Sequence, residues 1–118
     1  MVETKNARIT STMLGIEDHG IMSFYLYLDY GGSCQGAGGY CLDTPLKDES
    51  GNFIKRIGTA SGTDLIMEIL RVVGVEKWED LKDKHIRACA DHGKVYKIGN
   101  LLRDEWLDFG AFFKQHTT

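Results

Sequence analysis

The sequence predicts an α+β domain, with an antiparallel β-sheet of about five strands in the order β-β-β-α-β-β-α and helices packed on one face. Three observations carry that expectation. Met22, Phe24, Leu26, Leu28 and Tyr30 alternate with Ser23, Tyr25, Tyr27 and Asp29, the period-two pattern of a strand with one apolar face. Leu65, Ile66, Ile69, Leu70 and Val73 recur at helical spacing. Between segments of strand character stand short turn signatures, Glu17-Asp18-His19-Gly20 and His92-Gly93.

Along the chain, residues 1–7 are polar and are expected to fray. Arg8 to Ile16 mixes β-branched and polar residues as a first strand, and Gly20 closes a four-residue hairpin loop before the strand Ile21 to Tyr30. Between Tyr30 and Tyr40 lies Gly31-Gly32-Ser33-Cys34-Gln35-Gly36-Ala37-Gly38-Gly39, a segment dominated by glycine. Tyr40 to Leu42 starts a third strand, which Asp43, Thr44 and Pro45 close; Lys47 to Asn52 is a surface loop. Ser61 is the expected helix cap, with Asp64 three residues on, and Gly74 the natural stop. Glu76 to Lys82 adds a short helical turn with Trp78 and Leu81 inward. His85 to Asp91 and Lys94 to Ile98 form a hairpin, and Asp104 to Lys114 a final helix with Trp106, Phe109 and Phe113 on its apolar side.

Composition narrows the function classes. A chain of 118 residues, 42% hydrophobic and 26% charged, has the size and balance of a single folded domain spanning 1–118. The net charge of -3 disfavours non-specific binding to nucleic acid or a membrane surface, both of which need a basic field. No apolar run approaches the ~18 residues of a membrane span, and no leader shows a signal peptide's basic-then-apolar order. Three cysteines, an odd number, fit reduced thiols in a cytoplasm.

Several groups of residues could carry chemistry. The glycine-rich segment, with Gln35, Gly36 and Gly38, frees backbone amides to approach a ligand. Gly36-x-Gly38 is nevertheless followed by Cys41 where a dinucleotide fingerprint puts its third glycine, so a glycine-lined hairpin or bulged strand competes with the ligand reading. Arg56, Thr59, Ser61 and Gly62 lead into the helix, where hydroxyls and a nearby guanidinium suit an anion; a capped helix after a loop is the bland alternative. Tyr25 and Tyr27 project from the polar face of the central strand, with Arg87 and Lys97 on strands of the same sheet. Such a face can be a second core under the C-terminal helix, a protein interface or a base-stacking surface. Cys89-x-x-His92 is suitably spaced for zinc, but Cys34 and Cys41 are too far apart for a knuckle and Cys-x-x-Cys pairs are missing, so structural thiols are the expected reading and no cofactor is expected. His19 or His92, each beside an aspartate, gives a small hydrolase as the alternative enzyme reading.

A wider pattern joins these segments. Gly15-Ile16-Glu17-Asp18-His19-Gly20-Ile21-Met22, Gln35-Gly36-Ala37-Gly38-Gly39-Tyr40 and Ile57-Gly58-Thr59-Ala60 are its first parts. Gly74-Val75 with Trp78-Glu79-Asp80-Leu81, and Ile98-Gly99 with Trp106, complete it. From Thr10 to Phe113 the chain resembles a family of small uncharacterised proteins encoded by phages and prophages. The family has no assigned activity, so the resemblance implies a phage context and a host bacterial cytoplasm, and no catalytic residues. The expected role is an accessory binding protein that antagonises a bacterial defence system. It would dock on a defence protein such as a CRISPR effector, or sequester a nucleotide signal, and is expected to be a homo-oligomer.

Overall fold

The computed structural model describes residues 1–116, apart from the side chain of Asp18. The chain is α+β. Its strands are β1 (Glu3–Asp18), β2 (Ile21–Asp29), β3 (Cys34–Gly38), β4 (Asp43–Lys47), β5 (Phe53–Gly58), β6 (His85–Ala90), β7 (Val95–Asn100) and β8 (Trp106–Asp108). Two helices, α1 (Ala60–Val73) and α2 (Phe109–Gln115), and a single 3-10 turn (Trp78–Leu81) complete it. Six strands form one antiparallel sheet in the order β3-β2-β1-β6-β7-β8, and β4-β5 form a second, two-stranded sheet.

The first strand is longer than its sequence pattern suggests. Glu3 to Arg8 pair with β6, so most of the segment expected to fray is held in the sheet. The signal there is weak because Glu3, Thr4, Lys5 and Asn6 are polar; the partner strand some eighty residues on supplies the ladder. From Arg8 to Asp18 the same strand pairs with β2. The connecting turn is shorter than expected: His19 (φ 54°) and Gly20 (φ 71°) alone span it. Two left-handed residues match the right-handed twist of the strands they join.

One face of the large sheet is the core. Ile9, Phe24, Leu26, Leu28, Ile86 and Ile98 point from it against Leu65, Ile69 and Val72 of α1 and Phe109 of α2, all essentially inaccessible. The cap of helix α1 is Thr59, two residues before the expected Ser61. Thr59 is extended, its hydroxyl accepts from the Gly62 N–H (3.0 Å) and donates to the Leu42 carbonyl (3.1 Å), which fixes the helix entry. Gly74 ends it at φ 90°, its N–H on the Leu70 carbonyl, as the sequence predicts. The last helix is shorter than expected. Trp106 lies on β8 because it pairs with Gly99, and Asp108 caps α2 by accepting from the Ala111 N–H (3.0 Å).

The segment after the glycines differs most from its reading. Strand β3 lies within it, Tyr40 to Leu42 are irregular, and the supposed loop around Arg56 is β5. A buried carboxylate organises this region. Asp43 accepts from Arg56 Nε and Nη2 (2.9 Å each), from the Met22 N–H (3.1 Å) and from the Cys41 thiol (3.1 Å). Its side chain is only 6% exposed, and the Arg56 guanidinium holds its carboxyl well below the usual carboxylate range. The small sheet is thereby tied to the start of β2.

Candidate functional site

Because strand residues alternate, the register defines the face of the large sheet that the helices leave open. Tyr25 and Tyr27 of β2, Gly36 and Gly38 of β3, Met13 of β1, Arg87 of β6, Lys97 of β7 and Trp106 of β8 share it. The reading of Tyr25 and Tyr27 as a second core under the C-terminal helix is therefore overturned. Helix α2 packs on the opposite face, where Phe109 meets Phe24.

Tyr25 and Tyr27 lie with ring centroids 5.7 Å apart and planes within 15°. Glycine makes room for them. A Cβ on Gly36 would come within 3.2 Å of the Tyr25 ring, and one on Gly39 within 2.6 Å of its hydroxyl. Gly38, at φ 139°, has no space for a Cβ against the Phe24 carbonyl. An edge strand of glycines covered by cross-strand aromatic rings is a recurrent means of stabilising such a strand. It explains the glycine-rich segment without a phosphate loop. Gly38→Ala is expected to cost about 1–3 kcal/mol, from overpacking and a positive φ, measured by thermal or urea unfolding.

The far end of the face repeats the arrangement. Trp106 lies over Gly99, where a Cβ would come within 2.6 Å of the ring, and the Arg87 guanidinium and Lys97 ammonium sit 4.5 and 5.1 Å from its centre. Arg87 also donates to the carbonyls of Asn100 (2.8 Å) and Arg103 (2.7 Å), so it braces β6 against the chain after β7. Beside Tyr25 two shallow hollows open, of about 270 Å3 against Gly39, Tyr40 and Lys94 and about 150 Å3 against Met13, Glu17 and Ser23. The larger joins the open face to the β6-β7 turn.

The other predicted site residues lie elsewhere. Gln35 points to the opposite side of β3, accepts from Tyr30 Oη (2.7 Å) and donates to the Asp91 carbonyl (2.9 Å). It thus joins the edge strand to the β6-β7 turn, beside a cavity of about 210 Å3 that Lys5, Cys34 and His92 also line. Burial raises the Tyr30 phenol above its ordinary range. Thr59, Ser61 and Gly62 hydrogen-bond one another at the start of α1, whereas Arg56, on β5, is engaged by the Asp43 carboxylate. Gly62 packs directly on the Leu42 carbonyl.

For the histidines, Asp91 beside His92 accepts from the Gly93 and Lys94 N–H groups (2.9 and 3.0 Å) and from Tyr96 Oη (2.8 Å). These bonds, the Tyr96 hydroxyl first, hold its carboxyl below the usual range and bind it into the turn. His19 occupies the β1-β2 turn; the side chain of Asp18 lies outside the described residues. The cysteines are free: Cys34 and Cys41 exposed, Cys89 buried with its sulfur 3.1 Å from Thr4 Oγ1. No helix among the described residues is long and apolar enough to cross a membrane. In comparisons with known proteins, no family model, curated protein or solved structure matches this chain.

Sequence reasoning did not single out Met13 or Asp43 as site residues, and took Gly99 with Trp106 only as part of the wider pattern. Asp43 carries no periodic signal. A glycine opposite a tryptophan, as at Gly99 and Trp106, is recognisable only once the strand pairing is known.

Proposed function

We propose that this chain is a binding protein whose contact surface is the open sheet face around Tyr25 and Tyr27. One observation supports this above the others: two nearly parallel tyrosine rings of β2, Tyr25 half-buried and Tyr27 37% exposed, lie beside the glycines of the edge strand β3. Tyrosine on a rigid backbone offers large contact area at small entropic cost, and it is among the residues enriched at binding hot spots. With the phage resemblance, this face would dock on a protein of a bacterial defence system and block it. Docking is preferred to sequestering a nucleotide signal. The guanidinium of Arg56, on which the nucleotide reading depends, is already engaged through Nε and Nη2 by Asp43.

The test is a phage-plating assay in bacteria carrying a defined defence system, a CRISPR effector first. Expression of the chain should restore plating by at least about tenfold, as a blocked defence system would allow. Tyr25→Ala with Tyr27→Ala should abolish that gain while the purified variant stays folded. A double variant that protects phage as well as the parent would place the contact surface elsewhere. Failure of the parent against every defence system tried would remove the anti-defence role.

A further inference from the structure

Strand β1 uses only part of its length on the side that faces β6. Glu3 to Arg8 form the ladder with β6, and Ile9 ends it, its N–H on the Lys84 carbonyl (2.8 Å) and its carbonyl accepting from the Asp83 N–H (2.6 Å). Beyond Ile9 the strand continues to Asp18, paired with β2 alone. On the other side, no backbone hydrogen bond from Ser11 to Glu17 reaches any described residue.

Alternation identifies which groups face that open side. The Phe24 carbonyl accepts from the Gly39 N–H, so Phe24 turns its backbone toward β3, and its partner Leu14 turns away from β2. Thr12, two residues before Leu14, turns the same way, and Ile16 follows where the register shifts between Gly15 and Asp18. Leu14 is 38% exposed and Ile16 66% exposed. From Ser11 to Glu17 the edge carries neither proline nor lysine, and the register shift between Gly15 and Asp18 lies at its outer end, leaving Ser11 to Leu14 as its regular part.

Other edges of the molecule are protected. The outer edge of β3 meets the β6-β7 turn through Gln35, and β8 is three residues long. In the small sheet β4 carries Pro45 and Lys47, and β5 carries Lys55.

We propose that the Ser11–Glu17 edge pairs antiparallel with the same edge of a second copy of this chain, about a two-fold axis at Leu14. The edge is self-complementary in two respects. Its apolar centre places Leu14 against Leu14 of the second copy, and Thr12 against Ile16. Its ends are opposite in charge. Exposed Glu17 stands at the outer end and exposed Lys82 and Lys84 at the inner end, with Asp83 between them already paired to Arg8 at 2.7 Å. An antiparallel arrangement brings each acidic end to the other copy's basic end. An edge of this length lies at the small end of specific interfaces, the range of weak and transient contacts, and association is expected in the micromolar range. The sheet becomes continuous across both copies, and both Tyr25–Tyr27 faces point the same way. The pairing itself does not depend on the function proposed for that face.

Sedimentation velocity on the full chain tests this, from about 1 to about 300 μM, concentrations that bracket a micromolar constant. A reversible dimer is expected, with the Thr12 and Leu14 amides gaining hydrogen-exchange protection only at high concentration. Leu14→Pro removes one outward N–H and none that bonds β2. Ile16→Lys places a charge at the edge. Each should weaken dimerisation at least tenfold and leave the dilute chain's unfolding temperature unchanged. A chain that stays monomeric throughout would overturn the proposal. So would a dimer that both variants retain, or one in which those amides exchange as in the monomer. Should Leu14→Pro fail to fold, Ile16→Lys and the exchange of the parent chain decide the matter.

Discussion

Replacing Phe24 by alanine is expected to destabilise the chain by about 3–5 kcal/mol, the usual cost of removing a fully buried aromatic ring. Domains of this kind have only about 5–15 kcal/mol of stability in total, so most of the folded margin is at stake. The reason lies in what meets at this ring. Tyr40, Trp78 and Phe109 pack on it, with centroids 6.3, 6.3 and 6.2 Å away. Those residues come from the segment after β3, the 3-10 turn and α2. The variant therefore loosens three separate attachments of the sheet at once. Urea unfolding followed by tryptophan fluorescence measures the loss, since Trp78 reports on the same cluster. A cost below about 1 kcal/mol, the range of surface substitutions and mild repacking, would contradict this account of the core.

Asp43 is expected to dominate the stability of the chain in acid. Its carboxyl is held below the ordinary range by hydrogen bonds from Arg56 first, then from Cys41 and Met22. A carboxylate whose pKa is lower in the folded state contributes fully above its unfolded value, about 3.9. That contribution is lost as the pH falls from there toward the folded value. Asp48, Glu68 and Asp91 are lowered too, and act in the same direction. The unfolding temperature should therefore fall steeply below about pH 4, near the unfolded carboxylate values. Asp43→Asn should lower it by several degrees at pH 7 and flatten the acid slope. The asparagine leaves Arg56 without its counter-charge and the small sheet without its tie to Met22. An unfolding curve for Asp43→Asn that matches the parent from pH 7 to pH 3 would show that the carboxylate carries no such role.

These two residues differ in how far the sequence reveals them. Phe24 belongs to an alternating run whose period names the strand, its inner face and the aromatic core beneath it. Asp43 stands between an irregular segment and a proline, and reads as a turn residue. Its importance comes from Arg56, thirteen residues away, and from the Met22 backbone. Neither contact leaves a local pattern. The same contrast holds for the site. Tyr25 and Tyr27 declare their shared face through strand alternation, and Gly36 and Gly38 stand out by composition. Their connection, rings of one strand covering glycines of the next, follows from a pairing register that no single segment encodes.

The sequence alone determined the α+β class, the apolar faces of β2 and α1, the helix stop at Gly74 and the turn at Gly20. Each rests on neighbours a few residues apart, where backbone geometry ties side-chain direction to spacing. Only the tertiary structure decided that polar residues 3–7 form a strand, that Arg56 serves Asp43, that Trp106 belongs to β8, and which sheet face stays open. Those outcomes are settled by partners far along the chain, through ladder hydrogen bonds and burial that local propensity does not record.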